Sequence, residues 1–321
     1  MRYDNSLRPL ADGPPILADY PGFVAPLQAD RRFLAPPVVD EPEADLTVRC
    51  WRWWYNARGI VEMQCRLQAR ATALLLVHPW AIDDDHGLRT PEPAGCAFFC
   101  TGLKNEIVAP HLRQVVNPLL ARLRPRLALV GYSLPGVEDE VRRQLYASVR
   151  TEPEDLDPAA GERRLQEVLA AHSFTGEPLV EQLMLADDTP LHDYRCQTPS
   201  TDAGDRYNGS GYWQLPMPVH DALDRAPADR VFYDGEGYPL VRGFLRARGV
   251  RHVLLGGYAT DMCVQATTCG YDNLSADFNV FLVGDATLAT FPASRTPALA
   301  TQVALCNAAL RQMVTQAGWI G

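Results

Sequence analysis

Leu254-Leu255-Gly256-Gly257-Tyr258-Ala259-Thr260-Asp261-Met262-Cys263-Val264 is the stretch on which the reading of this chain turns. The apolar run Val253-Leu254-Leu255 has the length and character of a buried strand, and two glycines follow it. A short polar turn then delivers Cys263 to the start of a helix-like segment, expected over Asp261–Tyr271. A thiol placed there lies at the C-terminal edge of a sheet, beside backbone N–H groups not yet committed to a helix. Such surroundings favour thiolate, the nucleophilic form, and the same amides can hold the oxygen of a tetrahedral intermediate. The plainer reading is a structural cysteine packed at a tight β–α turn, since free cysteine is among the most buried residue types.

Outward from that turn the pattern is strand then helix, repeatedly. Thr72–Val77 is a wholly apolar strand ending at His78-Pro79-Trp80, and Leu127–Val130 is the next buried strand, after helical spacing over Ile107–Arg122. Arg230–Tyr233 reads as a short strand, Pro239–Arg248 as a helix closed by Gly249, His252–Leu255 and Asn279–Val283 as strands, and Ala298–Gln316 as the last helix. Strands alternating with helices predict an α/β fold, a Rossmann-like three-layer sandwich with a parallel central sheet and right-handed crossovers. Residues 1–45 carry no sustained period and read as an extended arm. Leu46–Tyr55 and Ile60–Leu67 alternate in period two around Asn56-Ala57-Arg58-Gly59, which predicts an N-terminal β-hairpin extension with an aromatic face. That face is expected on the edge of the main sheet, with a subunit partner as the other possibility. The division is therefore an arm and hairpin over 1–69 and an α/β domain over 70–321.

Gly257-x-x-Thr260-Asp261-x-Cys263-Val264, followed by Thr267 and Asp285-Ala286-x-x-Ala289, resembles the nucleophile signature of the isochorismatase-like cysteine hydrolases, the superfamily of nicotinamidases and N-carbamoylsarcosine amidases. The resemblance covers about 70–136 and 229–312, so that 137–228 stands as a large insertion, expected to form a lid or wall of the site. It implies a sheet of usually six strands, of which the final edge strand is expected to be missing here, the hairpin taking its place. It also implies a cis peptide at Tyr258-Ala259, oxyanion donors at the Ala259 and Cys263 amides, and three catalytic side chains: an Asp, a Lys and the Cys. Here the Asp position is filled by His78, and counting back from the helix at Pro239–Arg248 the Lys position falls on Arg230. Cys263 with His78 would form a thiolate–imidazolium couple and Arg230 would supply fixed charge. Asp83, Asp84, Asp85 or Asp234 would orient the imidazole, and Trp80, Asp84, Asp234 and Tyr258 are the expected pocket residues.

Asp84-x-His86 has only a superficial likeness to the metal motif of nicotinamidases, without a second histidine at a matching place, and no metal or other cofactor is expected. Asp261 is expected to cap the helix start and Asp285 to end a strand and pin a βα turn. The net charge of −9 and the lack of a basic tract argue against nucleic acid and anionic membranes as partners. No apolar run reaches the roughly 18–20 residues that span a bilayer. The first residues lack a signal-peptide core and the eight cysteines are scattered, which predicts reduced thiols in the cytoplasm. The expected function is hydrolysis of a small-molecule amide or ureido C–N bond in a homo-oligomer. The alternative is a non-catalytic binding or assembly protein on the same scaffold.

Overall fold

The computed structural model describes residues 2–81, 102–173, 182–196, 211–290 and 296–321. Ten strands among them form one sheet: β1 Arg8–Pro9, β2 Arg32–Leu34, β3 Leu46–Trp54, β4 Gly59–Leu67, β5 Thr72–Val77, β6 Leu129–Leu134, β7 Arg230–Tyr233, β8 His252–Tyr258, β9 Asn279–Leu288 and β10 Met313–Thr315. Their order is β1-β2-β4-β3-β10-β9-β8-β5-β6-β7. The six from β10 to β7 run parallel, as expected. The hairpin β3–β4 adds to them antiparallel through β10, so the whole sheet is mixed and mostly parallel.

β5 lies between β6 and β8, parallel to both, and all six of its residues are buried. Period-two alternation splits them between two packed layers. Leu74 and Leu76 face one layer with α1 (Gly102–His111) and α2 (Asn117–Leu123), which a wider π turn at Leu112–Val116 joins. Ala73, Leu75 and Val77 face the other, against α6 (Tyr238–Ala247). Burying each leucine is worth roughly 1.5–3 kcal/mol, which makes this pair of faces the reason the strand sits at the centre. α6 ends at Gly249, whose φ of 72° suits glycine as a helix terminator, as the sequence predicts. The segment read as an insertion supplies α3 (Glu140–Leu145), α4 (Pro158–Ala171) and α5 (Pro190–Cys196); Asp139 caps α3 by accepting from the Val141 and Arg142 amides. Val141, Leu145, Leu165 and Leu169 join the α1–α2 layer, so α3 and α4 extend the main core.

Three expectations are corrected. The last helix, α9, spans only Pro297–Ala308, and the chain then turns into β10 beside β9. The edge strand is therefore present, and the hairpin docks onto it instead of replacing it. The single helix expected over Asp261–Tyr271 is two short turns, α7 Cys263–Ala266 and α8 Tyr271–Leu274. Asp285 lies inside β9 and does not end it. Period and length mislead in both helix cases, because a short apolar run fits a strand and a helix equally well. The hairpin's Trp51 is buried, while Trp53 and Trp54 near the turn stay partly exposed.

Candidate active site

β5, β7 and β8 end at the same edge of the sheet, and each delivers one polar side chain just past its last residue or turn. β5 delivers His78, β7 delivers Asp234, and the turn after β8 delivers Cys263. The His78 amide continues the ladder by donating to the Ser133 carbonyl on β6 (3.1 Å), and its φ of 49° turns the chain out of the sheet. The imidazole Nε2–H donates to Asp234 Oδ2 at 2.6 Å, and the Cys263 side chain is the ring's other polar neighbour. Burial alone would pull the imidazole toward its neutral form. Its bond to Asp234, the nearby Cys263 side chain and the Asp234 charge outweigh that and lift its pKa to about 9. His78 is thus protonated at neutral pH, between an acid and a partly exposed thiol.

The turn that carries Cys263 rests on a close strand approach. Gly257 has φ of 107°, and a Cβ there would stand 2.1 Å from the Val77 carbonyl oxygen. The Tyr258–Ala259 peptide is cis. Met262 and Val264 amides both donate to the Ala259 carbonyl, at 3.1 and 3.0 Å, which folds the turn back on itself. Among the described residues the Ala259 and Cys263 amides donate to no acceptor. Thr260 Oγ1 meets Thr287 Oγ1 at 2.7 Å, and Thr287 donates to the Gly257 carbonyl, pinning the turn to β9. Asp261 does not cap the helix: its carboxylate accepts from the Thr290 amide (2.8 Å) and hydroxyl (2.7 Å).

The structure does not bring Arg230 to His78 and Cys263. Arg230 opens β7, opposite Gly131, whereas Asp234 follows the other end of that strand. Its guanidinium donates to the Ser148 and Thr151 carbonyls and to Glu152 Oε2 at 2.6 Å. Counting back from α6 overshoots, because a 3-10 turn at Asp234–Glu236 takes up residues between strand and helix. Trp80 is buried beside Trp213 (ring centroids 6.3 Å) and bridges to Val219. With the Ala81 amide on the Pro218 carbonyl and the His220 amide on the Pro79 carbonyl, residues 217–220 wall the chain leaving His78. Asp83, Asp84, Asp85 and His86 lie outside the described residues.

One buried group, set aside in sequence as a residue of an amphipathic helix, is tied to the end of β8. His111, at the end of α1, donates from Nε2 to the Asp285 carbonyl (2.8 Å) and so accepts at Nδ1 from the Tyr258 hydroxyl (2.7 Å). Burial lowers its pKa to about 4 and keeps it neutral. Asp285 itself accepts from the Ala317 amide, and burial raises its pKa to about 7. A single histidine on a helix of apolar spacing gives no sign in sequence of a partner 147 residues away.

Residues 202–313 match the isochorismatase domain model. No curated protein matches the chain in sequence. Among solved structures, a cysteine hydrolase from Pseudomonas syringae pv. phaseolicola 1448A is similar at 16% identity and TM-score 0.40, covering 78% of this chain and 91% of its own. An isochorismatase family protein from Desulfovibrio vulgaris subsp. vulgaris str. Hildenborough aligns at 14% identity and TM-score 0.38, over 78% and 95% of the two chains. A nicotinamidase/pyrazinamidase from Bacillus subtilis aligns at 13% and 0.34, over 76% and 99%. The domain match spans Asp234, the Gly257–Cys263 turn and β9, and over those residues the chain is similar to isochorismatase domains.

Proposed function

We propose that the chain is a cysteine hydrolase of small-molecule amide or ureido C–N bonds, with Cys263 as nucleophile, His78 as proton carrier and Asp234 as the group that holds His78. The observation that carries this reading is the placement of His78 between the Asp234 carboxylate and the Cys263 thiol. Asp234 takes the place expected of Arg230. The fixed charge beside the imidazole is then an anion, which supports imidazolium and through it the thiolate form of Cys263.

In this scheme Cys263 reacts as the thiolate, its proton already on His78, and sulfur attacks the substrate carbonyl carbon. The carbonyl oxygen takes the electron pair and is held by the Ala259 and Cys263 amides. Collapse breaks the C–N bond as His78 returns its proton to the leaving nitrogen, leaving an acyl thioester. Water, deprotonated by His78, then attacks that carbonyl; the C–S bond breaks and the acid leaves. The cytoplasm, where the thiols stay reduced, is the setting that suits this chemistry.

The test is iodoacetamide alkylation across pH, mapped by mass spectrometry, together with ammonia release from a panel of primary amides and N-carbamoyl compounds. Cys263 is expected to react at least about tenfold faster near pH 7 than partly exposed Cys306, with that lead lost in His78→Ala. Ammonia release should vanish in Cys263→Ala. A Cys263 no more reactive than Cys306 would overturn the hydrolase and leave the binding scaffold.

A further inference from the structure

Asp234 is held on both sides by a single side chain from α3. Arg142 is buried there, at 3% exposure, and every nitrogen of its guanidinium has an acceptor. Nε donates to the Asp139 carboxylate, Nη1 to the Pro135 carbonyl at 2.8 Å and Nη2 to the Val137 carbonyl at 2.6 Å. Those two carbonyls flank Gly136, whose φ of 77° bends the chain that leaves β6. The Gly136 carbonyl in turn accepts from the Gly235 amide at 2.6 Å. The approach is close, since a Cβ on Gly235 would stand 2.8 Å from that oxygen and 2.7 Å from Val137 Cγ1. The same guanidinium lies over the Tyr233 ring, 4.8 Å from its centre. Tyr233 and Gly235 are the neighbours of Asp234 in the chain. One buried cation therefore fixes the first by its ring and the second through one peptide, while the Thr268 hydroxyl donates to Asp234's own carbonyl at 2.9 Å.

We propose that Arg142 is a positioning residue for the His78–Asp234 couple, fixing the turn at 233–235 so that the carboxylate meets the imidazole. The inference rests on the proposed function only in taking that couple as the proton carrier of Cys263. A cation this deep is tolerated when a carboxylate and a full set of acceptors surround it. Guanidinium meets that demand with donors in fixed directions and a flat face that packs on an aromatic ring. Lysine would keep the charge beside Asp139 but has neither the fork nor the face. At the far end of the relay the bond from His78 to Asp234 is short and charge-assisted, so a small displacement of the carboxylate weakens it. Glu138, Asp139 and Tyr146 are the other titratable groups around the Tyr233 ring, and Glu236 lies within the field of Arg142. The first helix of the segment read as an insertion is thus part of the support of the site.

NMR titration of the full chain with isotope-labelled histidine, the His78 signal assigned by its loss in His78→Gln, reads the imidazole pKa without turnover. Wild type is expected to titrate near pH 9. Arg142→Lys, which keeps the charge, should lower that value by about one unit, a tenfold weaker hold on the imidazolium. Gly235→Ala presses on the Gly136 carbonyl from the other side and should lower it as well. Arg164→Lys, on α4 and exposed beside Glu167, should leave it in place. Thermal melting reports whether each variant folds, and should Arg142→Lys fail, Gly235→Ala carries the test. Either variant, folded but with the His78 value unmoved, overturns the proposal and leaves Arg142 a purely structural anchor. So does a wild-type His78 that titrates near its ordinary value of about 6.5, where there is no couple to hold. The expected shifts with a Cys263 inert to alkylation would support the positioning role and sink the hydrolase alone.

Discussion

His78 and Gly257 show how narrow the tolerances at this sheet edge are. The strands β5 and β8 meet where Gly257 faces Val77, and no other residue has both the room and the backbone freedom for that position. Gly257→Ala is expected to cost at least about 2 kcal/mol, because φ of 107° disfavours any side chain and the clash is with backbone that cannot rotate away. Chemical denaturation measures the loss. The same variant should lose the reactivity lead of Cys263, since relief of the clash must move one strand end relative to the other. Unchanged stability would show that the turn relaxes cheaply. His78 was legible as a candidate from its place after an apolar strand. Its acid was legible only as one of four, because sequence order says nothing about which loop returns to a strand end.

At the scale of elements, Arg230 separates two roles that a motif count runs together. A position counted back from a helix is reliable only when strand and helix meet without an intervening turn, and here the 3-10 turn at Asp234–Glu236 shifts the end of β7. What faces the site is thus Asp234, while Arg230 fastens the start of β7 to the loop at Ser148–Glu152. Arg230→Ala is expected to destabilise the fold by about 2 kcal/mol, through the two carbonyls left without their donor. It should leave the alkylation rate of Cys263 within about twofold, a change too small to mark a charge contact. A large loss of reactivity with intact stability would return Arg230 to the site. The parallel order and the hairpin were legible because each rests on local periodicity. β10 was not, since Met313–Thr315 is three residues long and follows α9 with no strong breaker. Its strand character comes from pairing with β9 and β3, which no local pattern encodes.

Across the whole molecule, three buried groups give stability a pH dependence of opposite signs. His111 has its pKa lowered to about 4, against about 6.5 when unfolded, so the unfolded chain binds the extra proton and stability is lost as pH falls through that window. Asp285, raised to about 7, keeps its proton longer in the folded state, so its contribution fades as pH rises from about 4 to 7. The two oppose each other on the acid side and flatten the curve there. Above pH 7 neither changes further, and His78 is left. Its folded pKa of about 9 exceeds the unfolded value, so its contribution is full below about 6.5 and is lost as pH rises through 9. Urea denaturation at steps between pH 7 and 9 should therefore show stability falling by up to about 1.4 kcal/mol per pH unit, the limit for one proton. Asp234→Asn removes the carboxylate that holds the imidazolium against burial, so the variant should be less stable at pH 7 and nearly flat from 7 to 9. His111→Gln should leave that alkaline slope in place while altering the curve below pH 6.5. An alkaline slope that survives Asp234→Asn would mean that another group carries it, and that the His78–Asp234 pair is not the charged couple on which the proposed chemistry depends.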